Sequence, residues 1–211
     1  MPEQPAAKPV TYVVDDDRTI RTLVSQMLSS EDLGPHPFGS AADFLESLPM
    51  LKPGVILLDL RMPEMDGFAF MEELARRDVD WPVIMLTGAG DIAVAVQAMK
   101  LGAAEFLEKP VRLDALLDAV DSARAKLGER LAAGERRRQA RDRIGALTGR
   151  EQEVLRGLMA GQSNKELAHS LGIGLRTVEM HRGNMMDRLG ATSVAQAVAL
   201  AIEAGVQPAD G

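Results

Sequence analysis

Asp15, Asp16, Asp59 and Lys109 each stand where a short apolar run stops. Val10 to Val14, Val55 to Leu58 and Ala104 to Leu107 are the runs that precede them. In an open α/β sheet the carboxyl ends of such strands face the ligand crevice. Two strands would therefore deliver three carboxylates to one sheet edge. Crowded carboxylates repel, so something positive must sit among them. A hard divalent cation such as Mg²⁺ takes oxygen ligands and keeps several waters, which suits this set. Lys109 adds a further cation from a later strand. That combination suits the addition of a phosphoryl group to a carboxylate. Alone, Asp15 to Asp17 would read as a solvated acidic turn capping the next helix. Asp59 and Lys109 make the metal-and-phosphoryl reading the stronger one.

The motif set runs Asp15-Asp16, then Asp59-Leu60-Arg61-Met62-Pro63, then Thr87-Gly88, then Lys109-Pro110. On these residues, 10 to about 123 resembles the receiver domain of a two-component response regulator. The resemblance implies roles. Asp59 is the phospho-acceptor. Asp16 is the direct carboxylate ligand of Mg²⁺, with Asp15 acting mainly through a metal-bound water, and the Arg61 backbone carbonyl completes the protein's ligands. Phosphoryl transfer needs in-line placement and charge neutralisation more than covalent help. Lys109 supplies neutralisation as a compact point charge. The Thr87 hydroxyl donates to the phosphoryl group, and Thr87 and Phe106 form the switch pair. The resemblance also implies a cis Lys109-Pro110 bond. Arg61 and Ala89, two residues past Asp59 and Thr87, flank the route of an attacking water.

The elements that must place these groups follow from period and punctuation. Val10 to Val14 is the first strand. Asp17 to Ser30 then reads as a helix with Ile20, Leu23, Val24, Met27 and Leu28 on one face. Gly34 to Gly39 is the second strand despite Pro35 and Pro37, which cannot donate to a ladder. Proline is tolerated on edge strands, and in the order 2-1-3-4-5 this strand is an edge. Ser40 to Leu48 is a short helix. Val55 to Leu58, Val83 to Leu86 and Ala104 to Leu107 are strands, with helices near Gly67 to Arg76 and Asp91 to Leu101, and a last one from Leu113. Strands alternating with helices imply βαβ units and a parallel sheet. The expected fold is a doubly wound (βα)5 α/β domain followed by an all-α four-helix domain.

That second domain has its own signature. Thr148 to Glu151 and Ser163 to Glu166 are capping boxes, each opening a helix. Gly172-Ile173-Gly174 is a turn, and Leu175 to Leu189 and Ser193 to Ala204 are further helices. Two helices joined by a Gly-containing turn form a helix-turn-helix. The run Asn164-Lys165-Glu166-Leu167-Ala168, then Ile173 to Arg182, resembles the effector domain of NarL/FixJ (LuxR-type) regulators. The receiver motifs lean toward the FixJ side. The resemblance implies that the Leu175 to Leu189 helix enters the major groove. Glu179, Met180 and Gly183 occupy base-facing positions. A Glu accepts from a cytosine amino group and an apolar chain touches a thymine methyl, but Gly183 has no side chain to read with. Lys165, Arg176, Thr177, His181 and Arg182 are the expected phosphate or groove-edge contacts. Gly174 stands where the family usually has Ser, which removes the hydroxyl cap at a cost of a few tenths of a kcal/mol.

Charge divides the 211 residues. Residues 1–123 hold 10 Lys/Arg and 21 Asp/Glu, a net of −11. Residues 124–147 hold 8 and 3, a net of +5, and residues 148–211 hold 6 and 7, a net of −1. We therefore expect a polar, disordered N-terminus 1–9, a receiver 10–123, a basic helical linker 124–147, a helix-turn-helix domain 148–204 and a tail 205–211. An acidic first domain suits a metal site and repels nucleic acid. A near-neutral reader offers few counterion-releasing groups, so one copy binds DNA weakly and two on a two-fold site bind better. With no Cys there is no disulfide and no thiolate site. No apolar run approaches ~20 residues, so no membrane span is expected, and the chain reads as cytoplasmic. The partners implied are a sensor histidine kinase, promoter DNA, a second copy on phosphorylation and RNA polymerase. A dedicated enzyme is not expected. A haloacid-dehalogenase-type phosphatase would need its nucleophile in a D-x-D after the first strand, whereas the candidate here, Asp59, follows a later strand and no cap domain is expected, and a phosphorylation-independent adaptor would not need the full acidic site.

Overall fold

The computed structural model describes residues 10–29, 33–88 and 92–209. Segment 1–9, Ser30, Ala89, Asp91 and the last two residues of the expected tail lie outside the described residues. The chain divides into two compact units, one ending at Arg130 and the other beginning at Leu131.

In the first unit, β1 (Val10–Val14), β2 (Pro35–Phe38), β3 (Gly54–Asp59), β4 (Val83–Thr87) and β5 (Glu105–Glu108) alternate with α1 (Arg18–Ser29), α2 (Ala41–Ser47), α3 (Gly67–Arg76), α4 (Ile92–Lys100) and α5 (Leu113–Gly145). The strands form one sheet in the order β2-β1-β3-β4-β5. Every pairing is parallel. β2 pairs with β1 alone, so the face of the ladder that Pro35 and Pro37 leave without donors is an edge.

Alternation along each strand divides the core in two. Tyr12, Val14, Ile56, Leu58, Val83 and Met85 bury one face under α2, α3 and α4, with Phe44, Phe70 and Leu74 against them. Val13, Val55, Leu57, Ile84 and Leu86 bury the other under α1 and α5, against Val24, Leu28, Leu116 and Val120. Burying each of these aliphatic chains contributes about 1.5–3 kcal/mol. One expectation for α1 needs correction. Leu23 is 47% exposed, whereas Val24 and Leu28 are buried. At 100° per residue Leu23 falls at the rim of the apolar stripe, which the sheet does not cover.

The second unit holds α6 (Gly149–Met159), α7 (Asn164–Leu171), α8 (Leu175–Leu189) and α9 (Val194–Ala204). Val154, Leu155, Leu167, Val178, Met185, Leu189, Ala197 and Ala201 form its core. Both capping boxes are closed, Thr148 with Glu151 and Ser163 with Glu166. α7 ends at Gly172 in the left-handed region, which permits the tight turn into α8. Gly174 caps α8 without a side-chain bond. The stretch expected as a linker continues α5 without a break, and Gly128 and Gly134 sit inside the helix. Its end belongs to the second unit. Ala140 is buried, Arg136 lies 3.6 Å from Glu203, and Arg141 donates to the Ala204 carbonyl at the end of α9. No helix among the described residues is long and apolar enough to cross a membrane.

Candidate functional site

The parallel register carries the acidic residues to one sheet edge. Val14 of β1 lies beside Leu58 of β3, so the chain leaves both strands level, at Asp15 and Asp59. Asp59 in turn lies beside Leu86, one residue before Thr87, and Thr87 beside Glu108, one before Lys109. The Lys109 amide closes this row by donating to the Thr87 carbonyl at 2.7 Å. Oxygen atoms of Asp15, Asp16 and Asp59 come within 4.8 Å of one another. Lys109 Nζ bridges two of them, 2.7 Å from Asp15 Oδ2 and 2.7 Å from Asp59 Oδ1.

The remaining contacts orient these groups. Asp59 Oδ2 accepts from the Arg61 amide at 3.1 Å. Asp15 Oδ1 accepts from the Asp17 amide at 2.8 Å. Asp15 is buried, and burial holds its carboxyl above the ordinary carboxylate range against the opposing pull of Lys109. Burial also works against the Lys109 ammonium, but bonds to Asp15 and Asp59 outweigh it and raise its pKa. Thr87 is buried at the end of β4. Asp16 is exposed and lines an open pocket of about 550 Å³ with Arg61, Met62, Pro63, Asp66 and Phe68. Asp17 is set apart from the cluster. It caps α1 by accepting from Thr19 at 2.7 Å, which is the helix-capping role an acidic turn suggests.

Lys109-Pro110 is cis. Phe106 and Leu107 face opposite layers. Phe106 packs on the α4 side and Leu107 on the α5 side.

Two contributors were not singled out in the sequence. Gly67 starts α3 close under the site, where a Cβ would lie 3.0 Å from the Asp59 carbonyl and 3.0 Å from Met85 Sδ. A Gly directly after Asp66, which caps α3, is the only sequence signal for it. The other is Arg21, which donates from α1 to the Asp15 carbonyl, and no motif marks it.

The cluster fits a hard divalent cation. It offers carboxylate oxygens, one of them exposed beside an open pocket, with no sulfur or imidazole donor among them.

In the second unit, α8 presents Arg176, Glu179, Met180 and Gly183 outward. Met180 is 52% exposed, although it is large and apolar. Lys165 is exposed near the start of α7, while Thr177, His181 and Arg182 are half-buried. Arg182 donates to the Asn164 side chain at 2.9 Å, tying α8 to the start of α7. The missing side chain at Gly183 contributes to a hollow of about 390 Å³ lined by Asn164, Glu179, Arg182 and Thr192. This unit thus displays a helix-turn-helix whose second helix, α8, exposes both polar and apolar groups.

Residues 11–121 match the family model for the response regulator receiver domain, and residues 145–201 that for bacterial regulatory proteins of the luxR family. The chain is 41% identical to transcriptional regulatory protein FixJ of Azorhizobium caulinodans, over 98% of this chain and 97% of that protein. It is 38% identical to transcriptional regulatory protein TdiR of Thauera aromatica, over 86% of this chain and 80% of that protein. Among solved structures, response regulator StyR is similar with a TM-score of 0.85 at 40% identity, covering 93% of this chain and all of that one. Full-length FixJ of B. japonicum gives 0.59 at 36% identity, covering 95% and 98%. Acidic pocket, helix-turn-helix and relatives along nearly the whole length agree: the chain belongs to the FixJ-like response regulators, phosphorylation-dependent transcriptional regulators that join a receiver to a LuxR-type DNA-binding domain.

Proposed function

We propose that Asp59 accepts a phosphoryl group from the histidine of a sensor kinase, and that the modified protein binds promoter DNA as a dimer. The observation that carries this is the Lys109 bridge between Asp15 and Asp59 beside the exposed Asp16. Asp15, Asp16, Asp59 and the Arg61 carbonyl would hold Mg²⁺. When bound, that ion neutralises carboxylate and phosphoryl charge. An Asp59 carboxylate oxygen attacks phosphorus as the phosphorus–nitrogen bond to the kinase histidine breaks. Lys109 then turns its ammonium to a phosphoryl oxygen, and the Thr87 hydroxyl donates to another. Phe106 follows Thr87 and alters the surface beside α4 and β5. Arg176, Lys165, Thr177, His181 and Arg182 hold backbone phosphates, and Glu179 and Met180 read base edges. RNA polymerase is the further partner of such a complex, and the cytoplasm is where it acts. The chain is not a dedicated enzyme, although its receiver promotes its own phosphorylation and dephosphorylation.

Intact mass after treatment with Mg²⁺ and acetyl phosphate tests the first step. Wild type gains a single phosphoryl group, and Asp59→Asn gains none. A folded wild type that stays unmodified rejects the reading in favour of a phosphorylation-independent adaptor. A label that persists in Asp59→Asn moves the acceptor elsewhere.

A further inference from the structure

The Asp15 carbonyl lies just past the ladder of β1. The last paired residue is Val14, and the Asp15 amide still donates to the Phe38 carbonyl at 3.2 Å. An unpaired carbonyl at such a half-buried point costs free energy, so its partner matters. That partner is Arg21, whose Nη1 donates to it. Arg21 lies in the first turn of α1, where its amide donates to the Asp17 carbonyl at 2.9 Å. Helical side chains lean toward the N-terminus, which brings the guanidinium back across the cap to Asp15. It lies against Gly39, where a Cβ would stand 3.8 Å from Nη2 and 3.9 Å from Cζ.

The bond holds more than one atom. The Asp15 carbonyl and the Asp16 amide share one rigid peptide plane. Fixing that carbonyl fixes the plane before the Asp16 Cα, and the Asp17 amide, which donates to Asp15 Oδ1 at 2.8 Å, fixes the plane after it, so the two bonds together set the direction in which the Asp16 side chain leaves the backbone. Asp16 is exposed, and its carboxylate has no hydrogen bond or ion pair among the described residues. Asp15, by contrast, is held by Asp17 and Lys109 as well.

We propose that Arg21 is a positioning residue for the divalent-cation site: it locks the Asp15–Asp16 peptide and so aims Asp16 at the ion. This rests on the metal reading given above. Its consequence has a sign that charge alone cannot produce. A cation near the site repels Mg²⁺, so deleting Arg21 for its charge would tighten binding. Deleting it as a positioning group loosens binding. Groups that orient metal ligands without touching the metal typically cost 10-fold or more when removed.

Isothermal titration of Mg²⁺ into the full chain decides it, using wild type, Arg21→Ala, Arg21→Met, Arg21→Lys and Arg18→Ala. Arg18 is exposed on the same helix and controls for charge. Arg21→Ala and Arg21→Met are expected to weaken Mg²⁺ binding about tenfold. Arg21→Lys should recover part of that loss, and Arg18→Ala should bind as wild type or slightly tighter. With saturating Mg²⁺, acetyl phosphate should label Asp59 in Arg18→Ala to the same extent as in wild type. Should Arg21→Ala not fold, Arg21→Met keeps an unbranched stem on α1, loses the donors and the charge together, and carries the test alone. A folded Arg21→Met that binds Mg²⁺ as tightly as wild type, or tighter, overturns the role of Arg21 alone. A loss in Arg18→Ala equal to that in Arg21→Met also overturns it. A wild type that takes up no Mg²⁺ overturns the metal reading beneath it.

Discussion

Asp15 is the residue on which the pH behaviour of the site turns. Its carboxyl is held above the ordinary range chiefly by burial, with Lys109 opposing. Ionising a buried acid costs folding free energy, and that cost is present above the raised pKa and absent below the unfolded value. Between those two values the metal-free protein gains stability as pH falls. Metal binding runs the other way, because the ligand must be deprotonated. We therefore expect the rise in melting temperature on adding Mg²⁺ to be full at neutral pH. It should fade on acidification with a midpoint above the ordinary carboxylate range. Thermal scans with and without Mg²⁺ across that window check it. A shift that persists down to the usual Asp pKa would place the ion on other ligands. Arg61 makes a second case at this scale. It is exposed two residues past Asp59 and long enough to shield a phosphoryl group. Arg61→Ala should change the dephosphorylation rate while leaving phosphorylation intact, and equal decay curves would reject this.

At the scale of the element, a glycine inside the sheet and a glycine capping α8 work by different mechanisms. A Cβ at Gly54 would stand 2.6 Å from the Val10 carbonyl and 2.5 Å from the Tyr12 ring. One of these is backbone of the neighbouring strand, which cannot yield without disturbing the pairing of β1 with β3. Gly54→Ala should therefore cost about 1–3 kcal/mol, the usual range for overpacking, read as a lower denaturation midpoint. Gly174 is the opposite case. Its φ of −68° suits any residue, and a Cβ there meets only Thr177 Oγ1 at 3.7 Å. Gly174→Ser should add the missing hydroxyl cap of α8 and stabilise the second unit by a few tenths of a kcal/mol. A lower melting temperature in that variant would mean that Gly174 is kept for close approach rather than tolerated as a weak cap.

At the scale of the whole molecule, the charge split sets what phosphorylation must accomplish. Residues 148–211, the helix-turn-helix domain with its tail, carry a net of −1, so one copy releases few counterions on DNA. Doubling the contacts by pairing two copies is the direct way to raise affinity. We expect acetyl phosphate to raise the dimer fraction and DNA affinity together. Phe106→Ala should let Asp59 become phosphorylated while both responses fail. Sedimentation and DNA titration on the same samples, at fixed salt, test this. A tight dimer before phosphorylation would contradict the scheme, because a ligand shifts an equilibrium only by its differential affinity for the two states.

The sequence by itself determined the parallel domain, the acidic strand ends, Lys109 and both capping boxes. Each of these depends on local period, punctuation and spacing. Val10 to Val14 ends at Asp15 whatever surrounds it, and Thr148 finds Glu151 three residues on. Even Pro35 and Pro37 were legible, because their missing donors demand an edge. What lay beyond the sequence depends on which distant residues meet. Leu23 has the right residue type for the core, yet its angle on α1 leaves it outside the cover of the sheet. The run 124–147 reads as a basic helical linker, and α5 does continue through it, but its end docks on α9 through Arg136 and Arg141. Arg21 looks like any surface arginine until α1 is laid beside β1. Only the tertiary structure decided these, because each is a contact between chain segments that no periodicity links.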